Sequence, residues 1–296
     1  MPITSLLRLT ADPNGPDTAN KIDAFVLFLA FHVAARACAV LDWQAPSTAE
    51  LVQAIGLTGC FLVVAVGLLW IRRRDVVRMA FAAALALHVV RLVTSMPTTS
   101  NHFFVETLLV FLATFCKLDD DAEQDLFLEV VRWLTAIVLF YSGFQKLLYG
   151  TYFHGQFLAF AVAQVDSFRD TLGHLLSADE LARLHAYDPL DPSASYQVSS
   201  LLFVVAANGA WVGEMALGAG LLVARVRRVA LVGAIVLVVG IEICAREVLF
   251  GVLFLQLLLL FARRPWNRAT LPAVAAFYIY LLLMRAGVLP AWSFTN

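Results

Sequence analysis

Runs of about twenty apolar residues recur along this chain, and no other feature restricts its fold as much. A helix needs about 20 such residues to cross the ~30 Å hydrocarbon layer of a bilayer. The runs lie near 22–42, 51–71, 76–96, 103–117, 126–148, 198–224, 229–262 and 269–288. The stretch 229–262 is too long for one span and carries Glu242, Arg246 and Glu247. It reads as two short helices with a break near Cys244–Glu247. The sequence therefore predicts an all-α, polytopic helical membrane protein with about nine transmembrane helices. Composition agrees, since 61% of the 296 residues are hydrophobic and 15% are charged, a balance far from that of a soluble domain. The net charge is −1, and no basic patch is interleaved with aromatics, so no nucleic-acid partner is expected.

Residues 1–21 are polar, contain Pro13 and Pro16, and lack the pattern of a cleaved signal peptide. They are expected to be a cytoplasmic segment ahead of a single transmembrane domain, 22–296. Breakers and charges bound the runs: Asp42, Trp43 and Pro46, then Arg72-Arg73-Arg74, Pro97, Lys117 with Asp119–Asp121, the RVRR ending at Arg228, and Pro290. A hydrophilic segment, about 150–197, carries most of the non-membrane residues. In it Ser177-Ala-Asp-Glu180 has the form of a capping box that starts a short helix, and Pro189 and Pro192 break the chain afterwards.

Orientation follows from lysine and arginine. With the N-terminus cytoplasmic, the inner loops receive Arg72, Arg73, Arg74, Arg78, Lys117, Arg225, Arg227, Arg228, Arg263, Arg264 and Arg268. The outer loops then hold mainly Arg169 and Arg183. This puts Asn101, His102, Lys146 and the segment 150–197 on the extracytoplasmic side. Cys38, Cys60, Cys116 and Cys244 stand singly in different runs without CxxC spacing, which reads as inert buried thiols.

Ionisable residues inside the runs are costly and normally face the bundle interior. Here they are His32, Arg36, His88, Arg91, Glu106, Glu129, Arg132, Glu214, Glu242 and Arg246. Several pair at helical spacing: His32 with Arg36 and Glu242 with Arg246 at i,i+4, His88 with Arg91 and Glu129 with Arg132 at i,i+3. Glu129/Arg132 and Glu242/Arg246 are read as neutralising ion pairs. His102 and Glu106 also stand one turn apart. A carboxylate there orients an imidazole for acid–base work, while the plainer reading is an interfacial histidine. No further ligands share that face, so no metal site is expected.

Lys146 stands at the end of a long apolar helix, in the stretch YSGFQKLLYGTYFHG of 141–155. A lysine there either snorkels to the interface or works. Gly143, Gly150 and Gly155 let the backbone pack closely and turn away from the helix. Dry surroundings favour the neutral amine over the ammonium, which suits a base.

Ser100-Asn101-His102-Phe-Phe-Val-Glu106-Thr-Leu-Leu, Phe140-Tyr141-Ser-Gly-Phe-Gln-Lys146 and Tyr152-Phe-His-Gly155 together resemble the transmembrane domain of vitamin K-dependent γ-glutamyl carboxylases. That domain, called HTTM, also occurs in bacterial relatives, among them membrane proteins that help mature a peptide toxin. A third piece, Ala210-Trp-Val-Gly-Glu214-Met-Ala-Leu-Gly, resembles a later helix of that family with an acidic residue at the place of Glu214. The resemblance covers about residues 22–265.

It implies that Lys146 is the base that deprotonates a reduced quinone (vitamin K or menaquinone hydroquinone) and that His102 assists it. Asn101, Glu106, Tyr141 and Glu214 would hold the cofactor. Oxygen and, for a carboxylase, CO₂ would be co-substrates, and no metal would take part. The product of oxygen attack would be basic enough to take a γ-hydrogen from a glutamate, in a dry pocket that keeps water away. The expected partners are the lipid bilayer, the quinone and a secreted peptide or protein, and the expected location is a bacterial inner membrane.

Two departures stand out. The carboxylases carry a large extracytoplasmic region that docks the substrate propeptide, whereas here the sequence ends at Asn296. They also have a histidine near the place of Glu242–Glu247. The leading expectation is thus a quinone-using, γ-carboxylase-like membrane enzyme that modifies a peptide or protein outside the membrane. The alternative is a non-catalytic membrane partner in peptide or toxin maturation or export. A transporter is a weaker third, with no clear inverted repeat to support it.

Overall fold

The computed structural model describes residues 18–41, 45–96, 101–117, 120–187, 195–262 and 270–288. The breakers Asp42, Trp43, Pro97, Asp119, Pro189, Pro192 and Pro290, together with Arg263, Arg264, Arg268, Ser100 and most of the segment 1–21, lie outside them. Every regular element among the described residues is helical. The chain divides into two compact units, one holding the described residues through Arg132 and those from Ala262 on, the other Trp133–Phe261. The sequence predicts a single transmembrane domain over 22–296.

The first unit contains α1 (Thr18–Ala39), α2 (Thr48–Val66), α3 (Arg74–Ser95), α4 (Asn101–Phe115), α5 (Asp121–Tyr149) as far as Arg132, and α12 (Thr270–Arg285). Each of α1 to α3 packs on the next, and α12 packs on α1. Ser47 caps α2 in a reciprocal box with Glu50, which satisfies the first free backbone donors. The arginine triplet ends that hairpin arm. A π-turn over Gly67–Ile71 leads to Arg72 in the left-handed region at φ 53, and Arg74 then turns back to Asp23 at 3.1 Å.

The second unit holds the rest of α5, three short helices α6 (Gln156–Gln164), α7 (Asp166–Leu172) and α8 (Ala178–His185), and then α9 (Leu201–Leu222), α10 (Arg227–Ala245) and α11 (Val248–Leu259). The segment expected as a hydrophilic stretch is folded around a core of Ala159, Val162, Ala163, Leu184 and Phe203. Ser177 caps α8 with Glu180 as its spacing predicts. Arg183 ties the following strand of chain to α8 through the carbonyls of Ser195 at 2.9 Å and Gln197 at 2.6 Å. The break foreseen near Cys244–Glu247 is present: α10 ends at Ala245, Arg246 adopts φ 57, and α11 begins at Val248.

Six helices among the described residues are long and apolar enough to cross a membrane: α1, α2 with its π-turn, α3, α5, α9 and α10. In α10 only 17% of the spanning residues are buried, and Ile55, Leu69, Trp70, Val93 and Val229 stand well exposed on their helices. Apolar surface on that scale belongs in lipid, so this is an integral membrane protein. The remaining three expected spans appear as shorter apolar helices, Asn101–Phe115, Val248–Leu259 and Val274–Met284. At 1.5 Å per residue, the 15 residues of α4 rise about 23 Å, short of a full hydrocarbon layer.

Candidate functional site

α5 and α9 approach closely because glycines face backbone. A Cβ on Gly143 would lie 2.5 Å from the Trp211 carbonyl oxygen and 3.0 Å from Glu214 Cβ. A Cβ on Gly218 would lie 2.8 Å from the Phe140 nitrogen and 2.9 Å from the Ala136 oxygen. Small residues at such crossings are what let membrane helices pack. The close approach carries Glu214 to the last turn of α5, where Lys146 stands.

There the ammonium of Lys146 donates to both oxygens of Glu214, at 2.5 and 2.6 Å, and to Ser142 Oγ at 3.0 Å. The Glu214 side chain is 3% exposed and that of Lys146 22%. Lys146 Nζ also lies 5.6 Å from the centre of the Tyr152 ring, within cation–π range. Gly150 and Gly155, at φ 68 and 69, turn the chain off α5 and into α6 and so bring Tyr152 back toward the lysine. Burial pushes the Tyr152 phenol above its ordinary range, and the Glu214 charge adds to this. It therefore stays a neutral O–H.

Glu106 is equally occupied, in the first unit. One carboxylate oxygen accepts from His32 Nε2 at 2.7 Å and the other from Arg36 at 2.8 Å. His88 Nε2 stands 3.8 Å from the second oxygen, and His32 Nδ1 meets the Tyr278 hydroxyl. Glu106 is 2% exposed, and His32, His88 and Tyr278 are fully buried.

The other expected site residues are more open. Asn101 is exposed and His102 half-buried on the first turn of α4, and Tyr141 on α5 is 53% exposed. His102 belongs to the first unit and Lys146 to the second. Elsewhere, Arg246 Nη2 reaches Asp170 at 3.4 Å, and Glu242 Oε2 is buried without a hydrogen-bond partner. Glu129 and Arg132 are both buried. The four cysteines are free and half-buried rather than fully enclosed. Among the described residues no group of three or more His, Cys, Asp or Glu is arranged to hold a metal ion.

Compared with known proteins, the chain matches no family model, no curated sequence and no solved structure.

Spacing had missed the cross-helix network. His32 and Arg36 were legible as a pair, but their shared carboxylate lies 74 and 70 positions away, and Tyr278 gave no signal of its own. The two clusters are alike in setting a buried carboxylate against N–H donors. They differ in access. The Lys146 side chain is 22% exposed and that of Arg36 15%, so the lysine is the more open of the two cations.

Proposed function

We propose that the chain is a membrane-embedded enzyme of the γ-glutamyl carboxylase-like, HTTM class, with Lys146 as its base. On this reading it uses a reduced quinone and oxygen to modify a peptide or protein on the extracytoplasmic side. The observation that carries the proposal is the Lys146–Glu214 pair. Glu214 meets the Lys146 ammonium with both carboxylate oxygens, so a direct path exists for a proton to pass between them. In water the charged form wins; in a dry site the neutral amine beside a neutral acid comes much nearer in energy. Glu214 then serves as the store for the lysine's proton, and Ser142 keeps Nζ in place.

The residues fit a phenolic cofactor on one count. Nζ is reachable while its carboxylate is closed off, so a lipid-phase hydroxyl meets the amine and not the acid. Lys146, Glu214 and the exposed Tyr141 are the residues that would hold such a cofactor. When bound, a reduced quinone supplies the reducing power that oxygen chemistry on a peptide needs. The chain's own part is to take one proton at Nζ, to hold it with Glu214, and to keep water out.

The excess of lysine and arginine in alternate loops supports a cytoplasmic N-terminus and a site facing outward. With the three shorter apolar helices also inserted, the protein has about nine spans, in a bacterial inner membrane.

A second reading, a non-catalytic membrane partner for peptide maturation or export, is favoured by one observation. Glu214 and Glu106 are each already neutralised by a cation, as structural staples would be. The experiment that separates the two is quinone turnover. Purified protein in nanodiscs is given vitamin K hydroquinone or reduced menaquinone under oxygen, with and without a glutamate-rich peptide, and the epoxide is sought by mass spectrometry. Protein-dependent epoxide supports the enzyme; quinone bound but recovered unchanged in both conditions supports the partner.

A further inference from the structure

The hydrogen positions in the first unit's cluster are fixed by its acceptors, and they leave one gap. His88 Nδ1 lies 3.2 Å from the Ala84 carbonyl, which can only accept, so Nδ1 carries the hydrogen. Its Nε2 is then a bare lone pair. That atom is buried and without a hydrogen-bond partner. It faces Glu106 Oε2 across 3.8 Å, too far for a hydrogen bond. Two acceptors thus face each other in a buried site, an arrangement that costs free energy. A proton on Nε2 removes the repulsion, and Oε2 keeps its bond from Arg36 at 2.8 Å.

We propose that His88 and Glu106 form a proton-binding site within the membrane, loaded by one proton on the imidazole, whose charge the facing carboxylate stabilises. The site is continuous with a hydrogen-bonded chain that runs through Glu106 and His32 to the Tyr278 hydroxyl. Loading needs no co-reactant: a proton from the medium adds to the Nε2 lone pair, and no bond breaks. Glu106 also fixes the remaining tautomer. Its Oε1 can only accept, so His32 Nε2 carries a hydrogen and His32 Nδ1 is left to accept from Tyr278.

The surrounding charges set the balance. With both imidazoles neutral, Glu106 and Arg36 cancel, so loading takes the cluster from neutral to one positive charge. Arg36 on α1 and Arg91 on His88's own helix oppose it; Glu106 on α4 favours it. From α2 come the neutral Gln53, which accepts from Arg91 at 2.9 Å, and Glu50, whose charge acts on Arg91. From α12, among the described residues, comes the Tyr278 hydroxyl. Phe103 offers a further stabilising surface. Its ring is stacked on His88 with centroids 4.9 Å apart, and Arg36 and Arg91 lie 5.0 and 5.3 Å from its centre. An aromatic face attracts a cation, so the ring favours the loaded imidazolium over the neutral one. The proposal is independent of the chemistry assigned to Lys146.

The test is a ¹⁵N titration of the full chain in nanodiscs, labelled at histidine, with the His88 signal identified by its loss in His88→Gln. The wild-type signal is expected to pass from the Nδ1–H neutral pattern to imidazolium as pH falls. Glu106→Gln removes the favouring charge and moves the midpoint down by at least about one pH unit. Arg36→Gln removes an opposing charge and moves it up, which keeps the test decisive if the first variant does not fold. A His88 signal that stays neutral down to about pH 4, or a midpoint unmoved in the folded variants, overturns the proposal.

Discussion

Glu214 meets Lys146 with both carboxylate oxygens, and the acid is the deeper of the two partners. Its side chain is 3% exposed against 22% for the lysine. The asymmetry decides which loss hurts more. Lys146→Ala strands a buried carboxylate, for which removing the partner of a buried ion costs about 3–5 kcal/mol. Glu214→Gln leaves a lysine able to turn toward the interface, with a loss of about 1–2 kcal/mol once its exposure is allowed for. Thermal unfolding in detergent is expected to place Lys146→Ala below Glu214→Gln. The reverse order would mean that Glu214 is the better solvated partner.

Close packing, beside the Lys146–Glu214 pair, sets the α5–α9 crossing. Gly143→Ala drives a methyl against the Trp211 carbonyl, 2.5 Å away, so the helices must part, at a cost of about 1–3 kcal/mol. Gly209, on α9, has open space where its Cβ would be. There alanine gains about 0.5–1 kcal/mol through helix propensity alone. The pair of melting points therefore moves in opposite directions. A Gly143→Ala protein as stable as wild type would contradict the close approach.

The segment 150–197 has a pH-sensitive latch. The Ser199 N–H, 2.6 Å from Glu180, holds that carboxyl below its ordinary value of 4.5, and the bonds from Ser177 add to this. A carboxyl lowered on folding contributes stability that is present above its unfolded value and is lost as pH falls through the folded one. Hydrogen exchange at Ser199 and along the start of α8 should accelerate on acidification below about pH 4.5 relative to the intrinsic rate. In Glu180→Gln the protection is already reduced at neutral pH and changes little on acidification. Equal protection in both proteins at neutral pH would remove Glu180 from the latch.

The helices could be read from the sequence because lipid imposes a single rule on them, a sustained apolar run, and charge marks their ends. Arg72–Arg74 closes α2, and Ser177 with Glu180 opens α8, both through interactions within a few residues. The break at Arg246 was legible because charged residues interrupt an apolar stretch. Contacts between helices are another matter. Spacing sets Glu106 beside His102, one turn away, and says nothing of its bonds to His32 and Arg36 on another helix. The bond from His32 to Tyr278 joins residues 246 apart, and an apolar run containing one tyrosine does not announce it. Glu214 was named as a pocket residue from a resemblance; its contact with Lys146 depends on Gly143 and Gly218 allowing two helices together. The fold of 150–197 was hidden for a similar reason, since Ala159, Val162 and Phe203 form its core only once α6 and α9 are in place.

Lys146→Arg tests the central claim most directly. Arginine keeps a cation for Glu214, so the protein remains folded, yet it does not give up its proton at any ordinary pH. Hydroquinone turnover would be measured for wild type and variant at matched amounts of folded protein. If Lys146 is the base, turnover falls by about 10²–10⁴-fold while the melting point stays near that of wild type. Turnover retained in Lys146→Arg would show that the position needs only a positive charge, and the account of Lys146 as a base would be wrong.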